Sequence, residues 1–468
     1  MMPFPIKSLR PLLVSTLWLA AMPGDAWTAS RPNVLFIIAD DLNRHLPCYG
    51  HREVQTPNVD RLARQAVRFD RAYCQYPVCS PSRCSFLSGR RPEQTGMFGN
   101  DGESRTLLLR DALFLPEHFR RQGYFTARLG KVFHIGRDVS ECWDVSEEGS
   151  PGTKPVYQPQ EVEKLGLAER VTAKHRLSGG GGEGASYTIL NGGDDSLIDV
   201  RNAGRTGELL EQATRGNKPF FLACGFRRPH LPHLAPQRWF DLYPAEKMAL
   251  PEVGGPTIPG LKGPVSPADH REALSGYLAC VSFMDAQVGT VLDNVDRLQL
   301  WENTIVVLIG DHGYLLGERG GWWGKNVLYD NSAATTLLIA APGKQRGVGC
   351  ARVVEFLDLY PTLVELCGLP MPAGLEGHDL TPLLVDPQTP WDHAAFTILA
   401  KNDAPSGLAV TTERYRYLEH GDGRVELFDL LADPSEWHDL ASDPSRSSTV
   451  ERLKYLADKY KSTFRYQK

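Results

Sequence analysis

The sequence has no excess of positive charge. Among its 468 residues, 51 Lys and Arg stand against 56 Asp and Glu, a formal net charge of −5. That balance argues against broad nucleic-acid binding, which needs a basic surface, so any anionic ligand must be caught by a local basic cluster. The nine cysteines form no CxxC pair and no dense framework. The evenly spaced Cys74, Cys79 and Cys84, with Pro81 between two of them, do not follow a usual zinc-ligand pattern. No disulfide is assigned, and an odd cysteine count in an exported chain points to a leftover thiol or a cysteine with a task. The glycine-rich stretch Ser178–Asp195 lacks a following Gly-Lys-Ser/Thr, so it is no Walker loop and reads as a surface loop. There are no internal repeats. Beyond the first thirty residues no apolar run reaches bilayer-spanning length. Hydrophobic residues at 42% and charged residues at 23% leave an ordinary globular composition, excluding a disordered, collagen-like or polytopic membrane chain.

What is present begins with an address. Lys7 and Arg10 give a positive start, Leu12 to Met22 is apolar but too short to span a bilayer, and Gly24-Asp25-Ala26 and Thr28-Ala29-Ser30 offer small residues for cleavage. This reads as a secretory signal peptide over residues 1–29, with the mature protein secreted or periplasmic and without a membrane span. Residues 30–390 then read as one large domain and 391–468 as a C-terminal subdomain.

The apolar run Asn33–Ala39 suits a strand buried on both faces. Tyr124–Leu129, Pro219–Gly225, Thr304–Gly310 and Thr335–Ala341 are further strands. Val59, Leu62, Ala63, Ala66 and Val67 recur at helical spacing after the first. Leu274, Tyr277, Leu278, Val281, Met284, Val288, Val291 and Leu292 mark a long amphipathic helix. Strands alternating with helices predict an α/β fold, a large and mostly parallel mixed sheet covered on both faces. Pro-rich stretches at Pro251–Pro267 and Pro370–Pro390 read as loops or linkers. After about Trp391 the pattern changes to short strands (Leu408–Thr412, Arg416–Glu419, Val425–Asp429) and a helix near Thr449–Phe464, a small antiparallel sheet with a terminal helix.

Four inferred strands end in ionisable residues: Asp40-Asp41, Lys131 to His134, Arg228-Pro229-His230 and Asp311-His312. Ligands bind beyond the carboxyl ends of strands in open parallel sheets, so these clusters can meet at one edge. Three carboxylates from two strands suit a hard cation, Ca²⁺ or Mg²⁺. Each cluster alone is equally consistent with helix capping or surface charge. In Cys79-Ser80-Pro81-Ser82-Arg83, Ser80 can cap a helix, Pro81 suits its first position and Gly89 its end. Cys79 then sits just before a helix N-terminus, where free N–H groups favour anions.

Cys79-x-Pro81-Ser82-Arg83 with Leu87-Ser88-Gly89-Arg90 resembles the signature of the type I sulfatases of the alkaline phosphatase superfamily. The resemblance starts at Arg31-Pro32-Asn33-Val34-Leu35. It ends in Glu426-Leu427-Phe428-Asp429-Leu430, Asp433-Pro434 and Glu436, which look like the family's C-terminal motif. Gly130-Lys131-Val132-Phe133-His134, Arg228-Pro229-His230, Ser282 to Gly289 and Asp311-His312-Gly313 look most like the iduronate-2-sulfatase branch.

The resemblance implies an alkaline-phosphatase-like fold and a sulfuric ester hydrolase. It implies that Cys79 is converted to formylglycine by a formylglycine-generating enzyme and that the hydrate is the nucleophile. It implies that Asp40, Asp41, Asp311, His312 and the modified Cys79 hold the metal, Ca²⁺ or Mg²⁺, with His312 alternatively a hydrogen-bond donor to the sulfate. Arg83 is implied to hold the hydrate and the ligand carboxylates, and Lys131, His134, His230 and Lys325 to surround the sulfate. The spacing before Lys325 carries one extra residue relative to the family.

In this chemistry a cation and basic side chains offset the charge of the ester. His134 is the candidate base for release of sulfate, and His230 the candidate acid for the leaving alkoxide. The branch resemblance points to a sulfated carbohydrate, 2-O-sulfated uronic acid or a related sulfated residue of an acidic polysaccharide; a uronate's carboxylate needs a second cation. Arg227 and Arg228 are placed to provide it. A phosphoester or phosphonate hydrolase on the same scaffold, and a non-catalytic glycan-binding protein, are the competing readings.

Overall fold

The computed structural model describes residue 1 and residues 31–101, 109–110, 112–134, 136–147, 168–171, 187–190, 195, 197–258, 266–402 and 404–464. The signal segment, residues 2–29, lies outside them. Residues 31–468 form one compact unit.

The main sheet has nine strands. In chain order they are β1 (Asn33–Asp40), β2 (Val67–Tyr73), β3 (Phe125–Gly130), β4 (Val145–Glu147), β5 (Phe220–Pro229), β6 (Thr304–Gly310), β7 (Ala334–Thr335), β8 (Leu337–Ala340) and β9 (Val348–Glu355). Their spatial order is β7-β2-β8-β6-β1-β5-β3-β4, with β9 beside β2. β1 lies at the centre and runs parallel to both neighbours, β5 and β6. β8 runs antiparallel to β6 and to β2, which makes the sheet mixed.

β1 is buried at every position. Leu35, Ile37 and Ala39 face one core, while Val34, Phe36 and Ile38 face the other. This period-2 division of an all-apolar strand is what a sheet covered on both sides demands. The first core contains Leu209 and Leu210 of α3 (Ile198–Thr214) and Tyr277, Val281 and Val288 of α4 (Pro267–Arg297). Ser266 caps α4, accepting from Asp269 N, and Pro267 follows as its first residue. The second core contains Phe86 and Leu87 of α2 (Cys79–Ser88) and Leu359 and Leu363.

Three sequence readings are corrected. Helical spacing carried the first helix to Val67, but α1 (Pro57–Ala63) ends four residues earlier and Val67 opens β2. Arg68 and the adjacent Asp70-Arg71 break the apolar pattern of β2 and hide its strand character. The stretch taken as a surface loop contains the strand Tyr187–Leu190, buried throughout and paired with Ala168–Val171 and His233–Pro236. An aromatic, a β-branched pair and a leucine there outweigh the flanking glycines. Ser80 does not cap α2. The helix begins at Cys79 with Val78 as its cap, so Ser80 lies inside the first turn and its backbone N–H is taken by Asn100 Oδ1 at 3.0 Å. Pro81 remains within that turn, where a missing N–H costs no hydrogen bond. Gly89 ends the helix at φ 68°, a left-handed conformation glycine adopts readily.

Past residue 391, four strands, β10 (Ala395–Lys401), β11 (Ala404–Thr411), β12 (Tyr415–His420) and β13 (Val425–Asp429), form an antiparallel meander. Helix α5 (Ser447–Lys461) packs on it through Leu453, Ala457 and Tyr460.

Candidate active site

Each strand end near the centre of the sheet delivers one piece of a single cluster. Asp40 closes β1. Asp41 follows with φ 64°, a left-handed conformation uncommon for a residue with a Cβ. Successive side chains of an extended strand point to opposite faces. The turn at Asp41 breaks that alternation, and both carboxylates reach the same cluster. Asp311 and His312 follow β6, Lys131 and His134 follow β3, and His230 follows β5. Gly225 permits the close approach of β5 to Lys131, since a Cβ there would lie 2.1 Å from the Lys131 carbonyl oxygen.

Cys79, Asp40, Asp311 and His312 are all 0% exposed, and Asp41 is 1% exposed. Potential ligand atoms of Asp40, Cys79, Asp311 and His312 lie within 4.8 Å of one another, as do those of Asp40, Asp41, Cys79 and His230. His312 Nε2 is 3.3 Å from Asp41 Oδ1, 3.5 Å from Asp311 Oδ1 and 3.4 Å from Cys79 Sγ. Three carboxylates and an imidazole are a donor set that fits a hard divalent cation.

Arg83 lies one helical turn after Cys79 and is fully buried. Its Nε donates to Asp311 Oδ2 at 2.9 Å, and a terminal nitrogen donates to Asp40 Oδ1 at 3.4 Å. The other terminal nitrogen donates to the Lys131 and Val132 carbonyls. A single planar guanidinium thus braces three strand ends. Lys131 Nζ sits 2.5 Å from Asp40 Oδ2. Lys325, carried just past the short hairpin of Leu315–Leu316 and Trp323–Gly324, donates to Asp41 Oδ1 and lies 3.1 Å from Cys79 Sγ. The extra residue in its sequence spacing therefore does not remove it from the cluster. His230 Nε2 is 3.9 Å from Asp41 Oδ2.

The electrostatics are in tension. Burial raises the Asp40 carboxyl, but Lys131, His230, Arg83 and Lys325 outweigh it and hold the group well below the usual range. For Asp41, burial wins over Lys325 and His312, aided by Asp40 and Asp311, and the carboxyl is raised. Burial, with Asp40 next in effect, pushes the Cys79 thiol up to about 12 against Lys131 and Lys325. Burial and Lys131 bring the imidazole of His134 down to about 4.

The two arginines differ. Asp199, at the start of α3, accepts from Arg227 N at 2.8 Å and Arg228 N at 2.9 Å. The Arg228 guanidinium is 3% exposed and turns inward, donating to the Leu234 carbonyl at 3.0 Å and the His230 carbonyl at 2.8 Å. It braces the loop that carries His230, and these carbonyls, not a ligand, take its donors. Arg227 is half-buried; protonation of His230 is disfavoured chiefly by burial, then by Lys325 and Lys131, with Arg227 a smaller contributor.

Sequence reasoning missed three contributors. Ser82 Oγ donates to the Asp311 carbonyl, Asn100 holds the first turn of α2, and the Tyr277 hydroxyl bonds to the turn after β1. For Tyr277 the available signal was a hydroxyl on an otherwise apolar helical stripe.

A mixed α/β sheet gathering acids, a cysteine and a basic rim at its carboxyl edge defines the alkaline-phosphatase-like class. The chain belongs to the sulfatase family and is a sulfuric ester hydrolase: residues 32–369 match the family model described as Sulfatase. Residues 317–462 match the model described as N-sulphoglucosamine sulphohydrolase, C-terminal. The chain is 34% identical over 457 residues to a sulfatase of Formosa agariphila, covering 93% of this chain and 88% of that protein. It is 31% identical over 399 residues to human iduronate 2-sulfatase, covering 74% of this chain and 70% of that protein. The solved structure of BT4656 in complex with its substrate D-glucosamine-2-N,6-O-disulfate shares the fold, with a TM-score of 0.74 at 19% identity, covering 93% of this chain and 98% of that one. Among the described residues, no helix is long and apolar enough to cross a membrane.

Proposed function

We propose that this protein removes sulfate from 2-O-sulfated uronic acid residues of a sulfated glycan, after export directed by residues 1–29. The catalytic domain is assigned to residues 30–390 and the C-terminal subdomain to 391–468. The observation that carries the reading is the position of Cys79: first residue of a buried helix, amid Asp40, Asp41, Asp311 and His312, with Lys325 3.1 Å from its sulfur. Likeness to an iduronate 2-sulfatase over 74% of the chain supports the choice of sugar.

Asp40, Asp41, Asp311 and His312, with the matured Cys79, would hold a divalent cation, Ca²⁺ or Mg²⁺, which when bound offsets the negative charge of the ester. Maturation of Cys79 to formylglycine by a formylglycine-generating enzyme would supply the nucleophile. The protein's own residues do the rest. Arg83 fixes the acids and the loop that carries Lys131. Lys131 and Lys325 receive the sulfate oxygens, and their charge lowers the cost of bringing an anion among carboxylates. His230 donates a proton to the departing sugar oxygen, and His134 takes one up as sulfate is released. Arg227 pairs with the uronate carboxylate, while Arg228 holds the His230 loop.

The test has two parts. The mass of the tryptic peptide spanning Cys79 should show the thiol replaced by aldehyde or its hydrate; an active preparation carrying only cysteine would end the formylglycine reading. A panel pairing 2-O-sulfated uronates with 6-O-sulfated hexosamines should favour the uronates. Equal or better turnover of the hexosamines would remove the substrate assignment and leave the sulfatase intact.

A further inference from the structure

The turn after β1 is held by side chains from three other segments. Asp41 N donates to Asp311 Oδ1 at 3.1 Å. Thr335 Oγ1 donates to the Leu42 carbonyl, and Thr336 Oγ1 to the Asn43 carbonyl at 3.0 Å. The remaining two groups converge on one atom. The Tyr277 hydroxyl donates to the Asp41 carbonyl at 2.9 Å and accepts from Asn43 N at 3.1 Å, spanning the turn from one side to the other.

Tyr277 is itself tightly placed. It comes from the middle of α4 and is 1% exposed, and its ring stacks on Tyr314 with centroids 5.6 Å apart and planes 13° apart. Tyr314 in turn accepts from Asn43 Nδ2 through its carbonyl, at 3.0 Å. The backbone that the Tyr277 hydroxyl bonds is the one that leaves ordinary geometry, with Asp41 at φ 64°. Such a conformation persists where its surroundings over-determine it.

We propose that Tyr277 is a positioning residue for the acid pair: its hydroxyl holds the Asp41–Asn43 turn in the left-handed form that aims the Asp40 and Asp41 carboxylates at one centre. The proposal rests on the reading that these carboxylates hold a divalent cation. Without the hydroxyl, the Asp41 carbonyl and Asn43 N–H lose their shared partner, and the chain after Asp40 is freer to relax toward extended geometry. In that geometry the second carboxylate points away from the first.

Tyr277→Phe keeps the ring and its stack and deletes only the hydroxyl. Titration of the full-length enzyme with Ca²⁺ and with Mg²⁺ against a competing chelator should show affinity about 10–100-fold weaker, the loss typical when a partner that orients a metal ligand is removed. Saturating cation should restore kcat toward the wild-type value, with KM for the sulfate ester unchanged within about twofold. Tyr417→Phe, which removes another buried tyrosine hydroxyl, bonded to Glu419 at 3.0 Å in the C-terminal sheet, should leave cation affinity unaltered. Cation affinity of Tyr277→Phe equal to wild type overturns the proposal and leaves Tyr277 as core packing. If Tyr277→Phe does not fold, Thr336→Val, which frees the Asn43 carbonyl on the same turn, must weaken affinity in the same sense, and an unchanged value overturns it equally. If wild type binds neither cation, or Asp311→Ala keeps wild-type affinity, the metal reading itself fails and the proposal with it.

Discussion

Two clusters of buried charge in this molecule are built from different groups. Around Asp330 and Glu436 the acids are matched to guanidinium groups. Arg44 pairs with Asp330, while Arg319 and Arg416 each reach Glu436 at 3.1 Å. Tyr73 donates its hydroxyl to the other Asp330 oxygen at 2.7 Å, and the Asp330 backbone N–H donates to Glu436 at 2.9 Å. This knot binds the catalytic core to the end of the C-terminal sheet. At the candidate catalytic edge, three carboxylates, a thiol and two histidines crowd together; here Asp40 is driven down and Asp41 up, as Asp330 is driven down and Glu436 up in the knot. Acids are paired with cations in both clusters; the charged groups of the knot are only carboxylates and guanidinium groups, whereas the candidate site adds a thiol, two imidazoles and two ammonium groups that can bind a ligand or move a proton.

The comparison predicts that damage to the two clusters will show in different measurements. The largest effect is expected at the catalytic edge. Cys79→Ala and Asp311→Ala should lower turnover by on the order of 10³-fold or more, with a cooperative unfolding transition retained, as assays of turnover beside thermal melts will show. Lys325→Ala should follow with a loss of about 10²–10³ in kcat. An unaffected kcat there would put Lys325 outside the chemistry despite its closeness to Cys79.

The knot should respond in stability. Glu436→Ala strips the shared partner from Arg319 and Arg416, both nearly unexposed, and should cost about 3–5 kcal/mol in chemical denaturation. Enzyme that remains folded should turn over normally. A variant that kept its stability and lost its activity would erase the distinction between the clusters.

The smallest effect tests a third place, the seam between core and C-terminal helix. Glu93 is 7% exposed beside Tyr460 of α5, and burial, only partly offset by Tyr460, pushes its carboxyl up to about 7. A carboxyl raised on folding binds its proton more tightly in the native state. Its penalty is therefore absent below the unfolded value of 4.5 and grows as pH rises toward 7. Glu93→Gln should match wild type near pH 4.5 and exceed it by on the order of 2 kcal/mol at pH 8. A constant difference across that range would show that the carboxyl does not titrate there.

Much of the central sheet was legible. Thr304–Gly310 coincides with β6, and Asn33–Ala39 falls one residue short of β1, because both are unbroken apolar runs at the centre of a doubly covered sheet. β2 escaped because Arg68, Asp70 and Arg71 interrupt its apolar residues. Arg68 reaches Asp70 at 2.6 Å along the strand itself, and Arg71 donates to the Thr412 carbonyl at 2.9 Å, contacts no periodicity records. Cys79, Arg83 and the strand-end clusters were visible as chemical types at characteristic spacing. Arg228 was visible too, but its inward turn onto the Leu234 and His230 carbonyls was not, since two adjacent arginines look alike in a sequence.

By itself the sequence determined the α/β class, the family signature at Cys79 and the gathering of acids and bases at the strand ends. These depend on local pattern: apolar runs, helix punctuation and short motifs. Only the tertiary structure decided which of those groups face one another. Asp41 turns back onto the cluster in a left-handed conformation held by Tyr277 from a helix more than two hundred positions away, and Glu436 reaches Arg319 only because the C-terminal sheet folds against the core. Contacts of that separation are set by packing and by the matching of buried charge, and neither is written in any short stretch of chain.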